Sequence, residues 1–364
     1  MITIKELTEY IGKTVSPKLA YKWDNSGLLI GDPDMPIERI LITLDITAEV
    51  VDYAIEKDID LIFSHHPLFI KPITKLNNPL ILKLIRHNIS VYSAHTNMDI
   101  YSNGVNRALA EALGVQNCSF LSQEIDVESY HIAVYIPPGN VEQVSEAIFE
   151  AGGGKIGNYS HCGNTYQVQG QFKPLSGSDP TIGSVDKLEK VDELKLEFFA
   201  DSTNLDRVIT AMIEAHPYET PAYAVYEQHK KDENYGLGLI GELDKPAKIS
   251  DFASIVKKGL NIPKLSLWLA DKDIDDEIQK VALCGGGGSS LINTARAKGA
   301  EIFVTADIGY HHYLESDIPL IDAGHYYTEY PFVYKVGKLL KDLSVELEIY
   351  PFHKHRYVRN FLIL

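Results

Sequence analysis

At 364 residues, 45% hydrophobic and 23% charged, the chain can bury large cores without staples and has room for two or three domains. Its formal charge of −16 argues against a dedicated nucleic-acid binder, because lysine and arginine neutralising phosphate supply most of that affinity. No apolar run approaches the roughly 18–20 residues that span a bilayer, and the first residues lack the basic and apolar regions of a signal peptide, so a cytoplasmic protein with no membrane partner is expected.

In chain order, a helix is expected over about 3–14, followed by the polar turn Trp23-Asp24-Asn25-Ser26-Gly27-Leu28 running into a short strand. Strand 39–44, helix 47–57, strand 60–64, helix 79–87, strand 89–93 and helix 104–113 come next. Strands that alternate with helices imply a parallel sheet covered on both faces, and their continuous apolar runs are what two-sided burial requires.

Beyond a polar stretch at 119–128 the pattern changes. Strand 130–136, helix 141–151, strands 166–172 and 194–200, helix 204–215 and strand 223–228 follow the ferredoxin-like order β-α-β-β-α-β. A charged linker at 228–234 follows, and after Gly236-Leu237-Gly238 and Gly241 the α/β alternation resumes. It has a helix at 249–260 and strands at 278–284, 301–305, 318–321 and 345–350. The expected fold is therefore α/β: a mostly parallel α/β domain assembled from 1–125 and 243–364 and interrupted by a ferredoxin-like α+β insertion at 126–242. Open parallel sheets place their sites beyond the carboxyl ends of the strands, so the insertion is expected beside that crevice as a lid or wall.

Candidate chemistry gathers at those strand ends. Ile62-Phe63-Ser64-His65-His66-Pro67 is an apolar run that stops at paired imidazoles. Such a pair alone is more often a loop feature than a ligand pair. Two later strand ends carry similar chemistry, at His95-Thr96-Asn97-Met98-Asp99 and at Asp322-Ala323-Gly324-His325 with Glu329 following, and the three together predict a metal site. A helix starting just after Gly324 would project His325 and Glu329, four apart, from one face. His65, His66, Asp99, His325 and Glu329 exceed the needs of one closed tetrahedral zinc and suit two ions about 3.5–4 Å apart, with Asp99 and Glu329 as candidate bridges. Water at open positions on such ions is acidified towards roughly pKa 7, which points to hydrolysis.

Cys118, Cys162 and Cys284 are odd in number and lack C-x-x-C spacing, which excludes a disulfide framework and a thiolate zinc site. Imidazole and carboxylate must hold any metal, which suits zinc, manganese, iron or cobalt. Asp24, Asp45, His95, Asp307, His311 and His312 fall at nearby loop positions, as partners that orient ligands or as a general base. Cys284-Gly285-Gly286-Gly287-Gly288-Ser289-Ser290 could cradle an anion with its backbone N–H groups or simply form a tight strand-to-helix turn. The short basic run His353-Lys354-His355-Arg356 reads as a solvated turn.

These motifs resemble the Nif-three-like family of dinuclear-metal proteins, also called GTP cyclohydrolase I type 2 homologues. The resemblance runs through Trp23-Asp24-Asn25-x-Gly27-Leu28, Leu44-Asp45-x-Thr47, Ser64-His65-His66-Pro67, His95-Thr96-Asn97-x-Asp99 and Gly324-His325-x-x-x-Glu329. In the insertion, Ala151-Gly152-Gly153-Gly154-x-Ile156-Gly157-Asn158-Tyr159 and His216-Pro217-Tyr218-Glu219 resemble the family's CutA-like or PII-like domain. One departure is Ala306, where members usually carry Gly before the acid, here Asp307.

The resemblance implies metal ligation by His65, His66, Asp99, His325 and Glu329, with Glu329 bridging, and assembly as a homo-oligomer, a hexamer. It further implies two divalent ions per chain, with zinc expected first and manganese, iron or cobalt otherwise; from their positions near the strand ends, His95 and Asp307 are expected as the catalytic partners. The expected activity is purine-ring opening of GTP, in which a metal-bound hydroxide attacks C8 and formate is lost. The alternative is a non-catalytic metal-binding or regulatory protein whose insertion recognises a partner or small effector.

Overall fold

The computed structural model describes residues 1–123, 129–157, 159–228, 235–355 and 357–358. The chain divides into two compact units, Met1–Gln123 with Tyr235–Leu364, and Glu124–Asn234. Most of the expected linker at 228–234, the end of the polar stretch at 119–128, Asn158 and Arg356 lie outside the described residues.

The first unit contains a five-stranded sheet in the order Glu346–Ile349, Arg39–Thr43, Leu61–Ser64, Ser90–Ser93, Gly27–Ile30. The first three pairings are parallel and the last is antiparallel. Every residue of Leu61–Ser64 and Ser90–Ser93 is buried, as a parallel sheet flanked on both faces demands. The period of two sorts the side chains. Leu41, Ile62 and Val91 pack with Val50, Val51, Ala54 and Leu84, from the helices Ala48–Glu56 and Pro79–Arg86. Ile40, Ile42, Phe63 and Tyr92 join the opposite core, which includes Leu7, Leu109 and Val336 from the helices Ile4–Thr14, Val105–Leu113 and Phe332–Leu340.

The helix starts are set by local chemistry. Thr3 and Glu6 form a reciprocal capping box on Ile4–Thr14, and the Thr47 side chain accepts from the Val50 amide.

The same unit holds a second sheet of six strands in the order Ser266–Trp268, Leu320–Asp322, Ile302–Ala306, Glu277–Gly287, Leu237–Lys248, Gln116–Ser122. Its two central pairings are parallel and its three outer ones antiparallel. The two halves of the chain therefore do not continue one parallel sheet. They build two sheets and exchange an edge strand, Gln116–Ser122 going to the later sheet and Glu346–Ile349 to the earlier one.

Both strands that flank the insertion are absent from the expected set, for physical reasons. Gln116–Ser122 is an edge strand with exposed polar residues. Leu237–Lys248 is punctuated by glycines, and at Gly241 a Cβ would lie 2.3 Å from the Gln116 carbonyl oxygen, so only glycine allows this approach. The expected boundary at 242/243 falls inside this strand, whereas the units divide at 234/235.

The second unit contains the strands Ser129–Ile136, Gly163–Phe172, Glu189–Asp201 and Tyr223–Gln228 and the helices Val141–Glu150 and Leu205–Ala215. The sheet order is fourth, first, third, second, all antiparallel. Ile132, Val134, Leu196 and Phe198 bury one face against Val144, Ile148, Val208 and Met212. Among the described residues no helix is long and apolar enough to cross a membrane.

Because Ser122 pairs with Leu237, the chain leaves and re-enters the first unit on neighbouring strands. Replacing 124–234 by a short Gly/Ser linker is therefore expected to leave a protein that unfolds cooperatively and still binds metal. Loss of the cooperative transition in calorimetry would overturn that reading of the fold.

Candidate metal centre

The ladder of Leu61–Ser64 carries on past the strand, since the amides of His65 and His66 donate to Thr43 O at 3.2 Å and Leu44 O at 2.9 Å. Both imidazoles are thus delivered on a fixed backbone. The ring of His65, fully buried, places Nδ1 2.9 Å from the Ala94 carbonyl oxygen. A carbonyl only accepts, so Nδ1 carries the proton and the Nε2 lone pair faces the site.

His66 repeats the arrangement with a carboxylate: its Nδ1 lies 2.7 Å from Asp45 Oδ1 and its Nε2 3.0 Å from Glu329 Oε2. The short helix His325–Glu329 starts directly after Gly324, as the spacing predicts, and sets His325 Nε2 3.0 Å from Glu329 Oε1. His325 Nδ1 hydrogen-bonds Asp307 Oδ2. Asp307 adopts a φ of 54°, a left-handed conformation uncommon for a residue other than glycine.

Asp99 stands on the short helix Thr96–Ile100 beyond Ser90–Ser93, its Oδ1 3.5 Å from His65 Nε2. Both of these atoms are buried and neither has a hydrogen-bond partner. An imidazole nitrogen and a carboxylate oxygen oriented towards each other without a bond fit a cation held between them. Two overlapping donor sets result, His65/Asp99/Glu329 and His66/His325/Glu329, each with its atoms within 4.8 Å of one another, and both use Glu329. Donors about 2.0–2.2 Å from a metal stand some 3–4 Å apart, so the observed separations suit coordination.

The electrostatics also favour positive charge here. Burial by itself would raise the Glu329 carboxyl, but the imidazoles of His325, His65 and His66 gathered around it hold it well below the usual range. Burial lowers His66, yet hydrogen bonds to Asp45 and Glu329 outweigh it and lift the imidazole to about 10. The hydrogen bond to Glu329, against the opposing effect of burial, lifts His325 to about 9. The carboxylates thus demand cations, supplied by protons on imidazole or by metal in their place.

The glycine run belongs to this centre rather than to an anion site. The amides of Gly285, Gly286 and Gly288 are taken by Asn106 Oδ1, Thr328 Oγ1 and Thr305 Oγ1 at 2.9, 3.0 and 2.8 Å, so they do not form the phosphate cradle considered from sequence. At Gly286, φ is +62° and a Cβ would stand 2.3 Å from Glu329 Oε1 and 3.2 Å from His325 Nε2. The missing side chain leaves room for the shared carboxylate.

The other expected residues separate clearly. The ring of His95 lies 5.3 and 5.6 Å from those of His65 and His66, and His95 forms a further donor group with them. Its Nδ1 is 2.8 Å from Asp24 Oδ1. Asp24, whose side chain is fully buried, also accepts from the Ser26 hydroxyl and from the amide and hydroxyl of Thr96. Burial would raise its carboxyl, but the bonds from His95 and Thr96 keep it well below the usual range. Asp307 supports His325 and Asp45 supports His66. His311 and His312 are exposed on the helix Tyr310–Glu315 and join none of the donor groups among the described residues.

One residue was missed from sequence. His355, read as part of a solvated turn, is 5% exposed, lies 4.4 Å from the Tyr326 ring centroid, and sets Nε2 3.1 Å from Asp45 Oδ2. Asp45 is thus clasped between a candidate ligand and the C-terminal segment. The aromatic neighbours Tyr350, Phe352 and Tyr357 were the available signal that this stretch packs inward.

The fold and these donor groups define the class, a mixed α/β protein with a candidate metal centre of imidazole and carboxylate. The Duf34/NIF3 (NGG1p interacting factor 3) family model matches residues 2–356, and the chain belongs to that family. A Halalkalibacterium halodurans protein named GTP cyclohydrolase 1 type 2 homolog is 38% identical over 346 residues, covering 92% of each chain. A Staphylococcus aureus protein of the same name is 40% identical over 334 residues, covering 90% of each. The crystal structure of a Bacillus cereus protein related to NIF3 superposes with a TM-score of 0.85 at 34% identity, covering 100% of this chain and 99% of that one.

Two substitutions test the geometry by equilibrium dialysis with zinc, with circular dichroism to check the fold. Asp45→Ala, which frees the ring of His66, is expected to weaken metal binding by about 10–100-fold, the range typical of residues that orient ligands. Gly286→Ala should reduce it at least as much while the protein stays folded. Wild-type affinity in Gly286→Ala would show that the carboxylate does not need that space.

Proposed function

We propose that the chain is a metal-dependent hydrolase holding two divalent ions, with His65 and Asp99 on one, His66 and His325 on the other, and Glu329 shared. The observation that carries this reading is that the two Glu329 oxygens each lie 3.0 Å from a different imidazole Nε2, His66 on one side and His325 on the other. Imidazole-rich donor sets suit zinc, with manganese, iron or cobalt as further candidates. When bound, such ions polarise substrate oxygens and activate water near neutral pH.

The protein's own residues do the positioning. Asp45, Asp307 and the Ala94 carbonyl fix the rings of His66, His325 and His65. His95, backed by Asp24, is at the edge of the donor cluster and is our candidate for holding or moving a proton, with Asp307 in a supporting role. Next to it Trp23, 58% exposed, stacks on Tyr21 at 6.0 Å and meets the His95 ring edge-on, offering a flat surface to a heterocycle.

We take the substrate to be a nucleotide and the reaction to be opening of the purine ring of GTP with release of formate; support comes from relatives named GTP cyclohydrolase 1 type 2 homolog. A homohexamer in the cytoplasm completes the reading, and the insertion is assigned to the ferredoxin-like class on its strand order.

Protein reloaded with zinc is expected to hold about two equivalents of metal, because a bridged pair fills together, and Glu329→Ala should lose most of both. A wild-type stoichiometry of one would overturn the two-ion assignment. Incubation with GTP should release formate and change the ultraviolet spectrum, and His65→Ala and Glu329→Ala should abolish both signals. Full metal occupancy without turnover on GTP, with any of the four metals, would favour a non-catalytic metal-binding or regulatory protein.

A further inference from the structure

The second unit contains a cavity of about 410 Å³ whose walls come from that unit alone. It is built rather than incidental. The segment joining Gly163–Phe172 to Glu189–Asp201 is pinned across it, with the Thr181 hydroxyl donating to Pro217 O at 2.8 Å and the Asp179 amide to Glu219 Oε2 at 3.0 Å. Tyr218, Glu219 and Thr220 line the cavity from the turn that begins at His216. There the Tyr218 amide donates to His216 Nδ1 at 3.1 Å, which leaves the ring proton on Nε2 to donate to Tyr135 O at 2.9 Å. This histidine is a fixed strut.

The lining has a definite chemistry. Tyr135, Phe172, Tyr218 and Ile182 contribute rings and an aliphatic surface, with the Phe172 and Tyr218 centroids 6.3 Å apart. Glu193 reaches the cavity while only 9% exposed, over a glycine, Gly170, where a Cβ would stand 2.1 Å from its Oε2. The hydroxyl of Tyr218 is buried and faces Glu193 without a close hydrogen bond. Asp179 and Glu219 add acidic groups, and among the described residues no lysine, arginine or histidine lines the cavity.

A buried carboxylate in a cavity whose described lining carries no basic residue calls for a ligand that brings positive charge and N–H donors. Aromatic faces favour a flat cation, and the acidic lining disfavours phosphates and carboxylic acids. The volume lies within the range of small-molecule sites, about 300–1,000 Å³. We propose that the insertion is a binding site for a small, flat nitrogen cation, an aromatic amidinium or protonated amino-heterocycle, with its ring against Phe172 and Tyr218 and its N–H donors on Glu193. The described lining belongs to the second unit, and the proposal does not depend on the hydrolase reading.

Benzamidine serves as the probe and benzoate, its anionic counterpart, as the control, in isothermal titration of the full-length zinc-loaded protein. A fragment of this size is expected to bind with a Kd of about 1 mM or tighter, one site per chain. Glu193→Gln, which keeps the shape and removes the charge, should weaken binding at least about tenfold, as loss of a charge-assisted bond does. Ile182→Trp, a substitution in the pinned segment, should block the cavity and abolish binding with the fold intact by circular dichroism. Benzoate should not bind. No saturable benzamidine binding, or equal binding in both variants, would overturn the proposal. Binding that survives Glu193→Gln but not Ile182→Trp would overturn the charge-recognition part and leave a neutral aromatic pocket.

Discussion

Glu329 is the constraint on which the rest of the first unit turns. A carboxylate that is 4% exposed is far from bulk water, and it remains ionised because His66 and His325 approach its two oxygens from different sides. Each of those rings is fixed on its far edge by an acid, Asp45 or Asp307, so positive charge is drawn in layer by layer. Asp99 and Glu329, both beside the imidazole of His65, would repel one another in a dry pocket. Cations resolve that repulsion, which is why the arrangement is better suited to metal than to a static ion pair.

The fold meets this demand by long-range assembly. The first half supplies His65, His66 and Asp99 from the ends of adjacent strands, and the second half supplies Glu329 and His325 from one turn of helix. The exchange of Gln116–Ser122 and Glu346–Ile349 between the sheets ties the halves together through backbone hydrogen bonds. Mutual commitment of this kind fixes relative position to a fraction of an ångström, which a shared carboxylate requires. Gly286 shows the same economy at the scale of one atom, since its bare backbone makes the space that Glu329 occupies.

Much of this was legible in the sequence. Continuous apolar runs between helical periods gave the parallel core around Leu61–Ser64, and strand-end histidines and acids gave the donor groups. Signals that depend on a distant partner were not legible. Gln116–Ser122 buries only Phe120 and Leu121 and leaves its remaining residues, mostly polar, exposed or half-buried at a sheet edge, and glycines hid Leu237–Lys248 although Gly241 serves clearance from Gln116. His355 looked solvated because its partners, Asp45 and Tyr326, are remote in sequence. His311 and His312 looked like site residues because sequence proximity to Asp307 says nothing of which way a helix turns.

The clasp of Asp45 between His66 and His355 ties the candidate centre to residues far apart in the chain. Synthesis runs from the amino end, so His65, His66 and Asp99 are made well before Glu329, and His355 follows them all. Until Glu329 is made, a nascent chain exposes half a set of donors with no common anion to unite them, and until His355 follows, Asp45 is held from one side only.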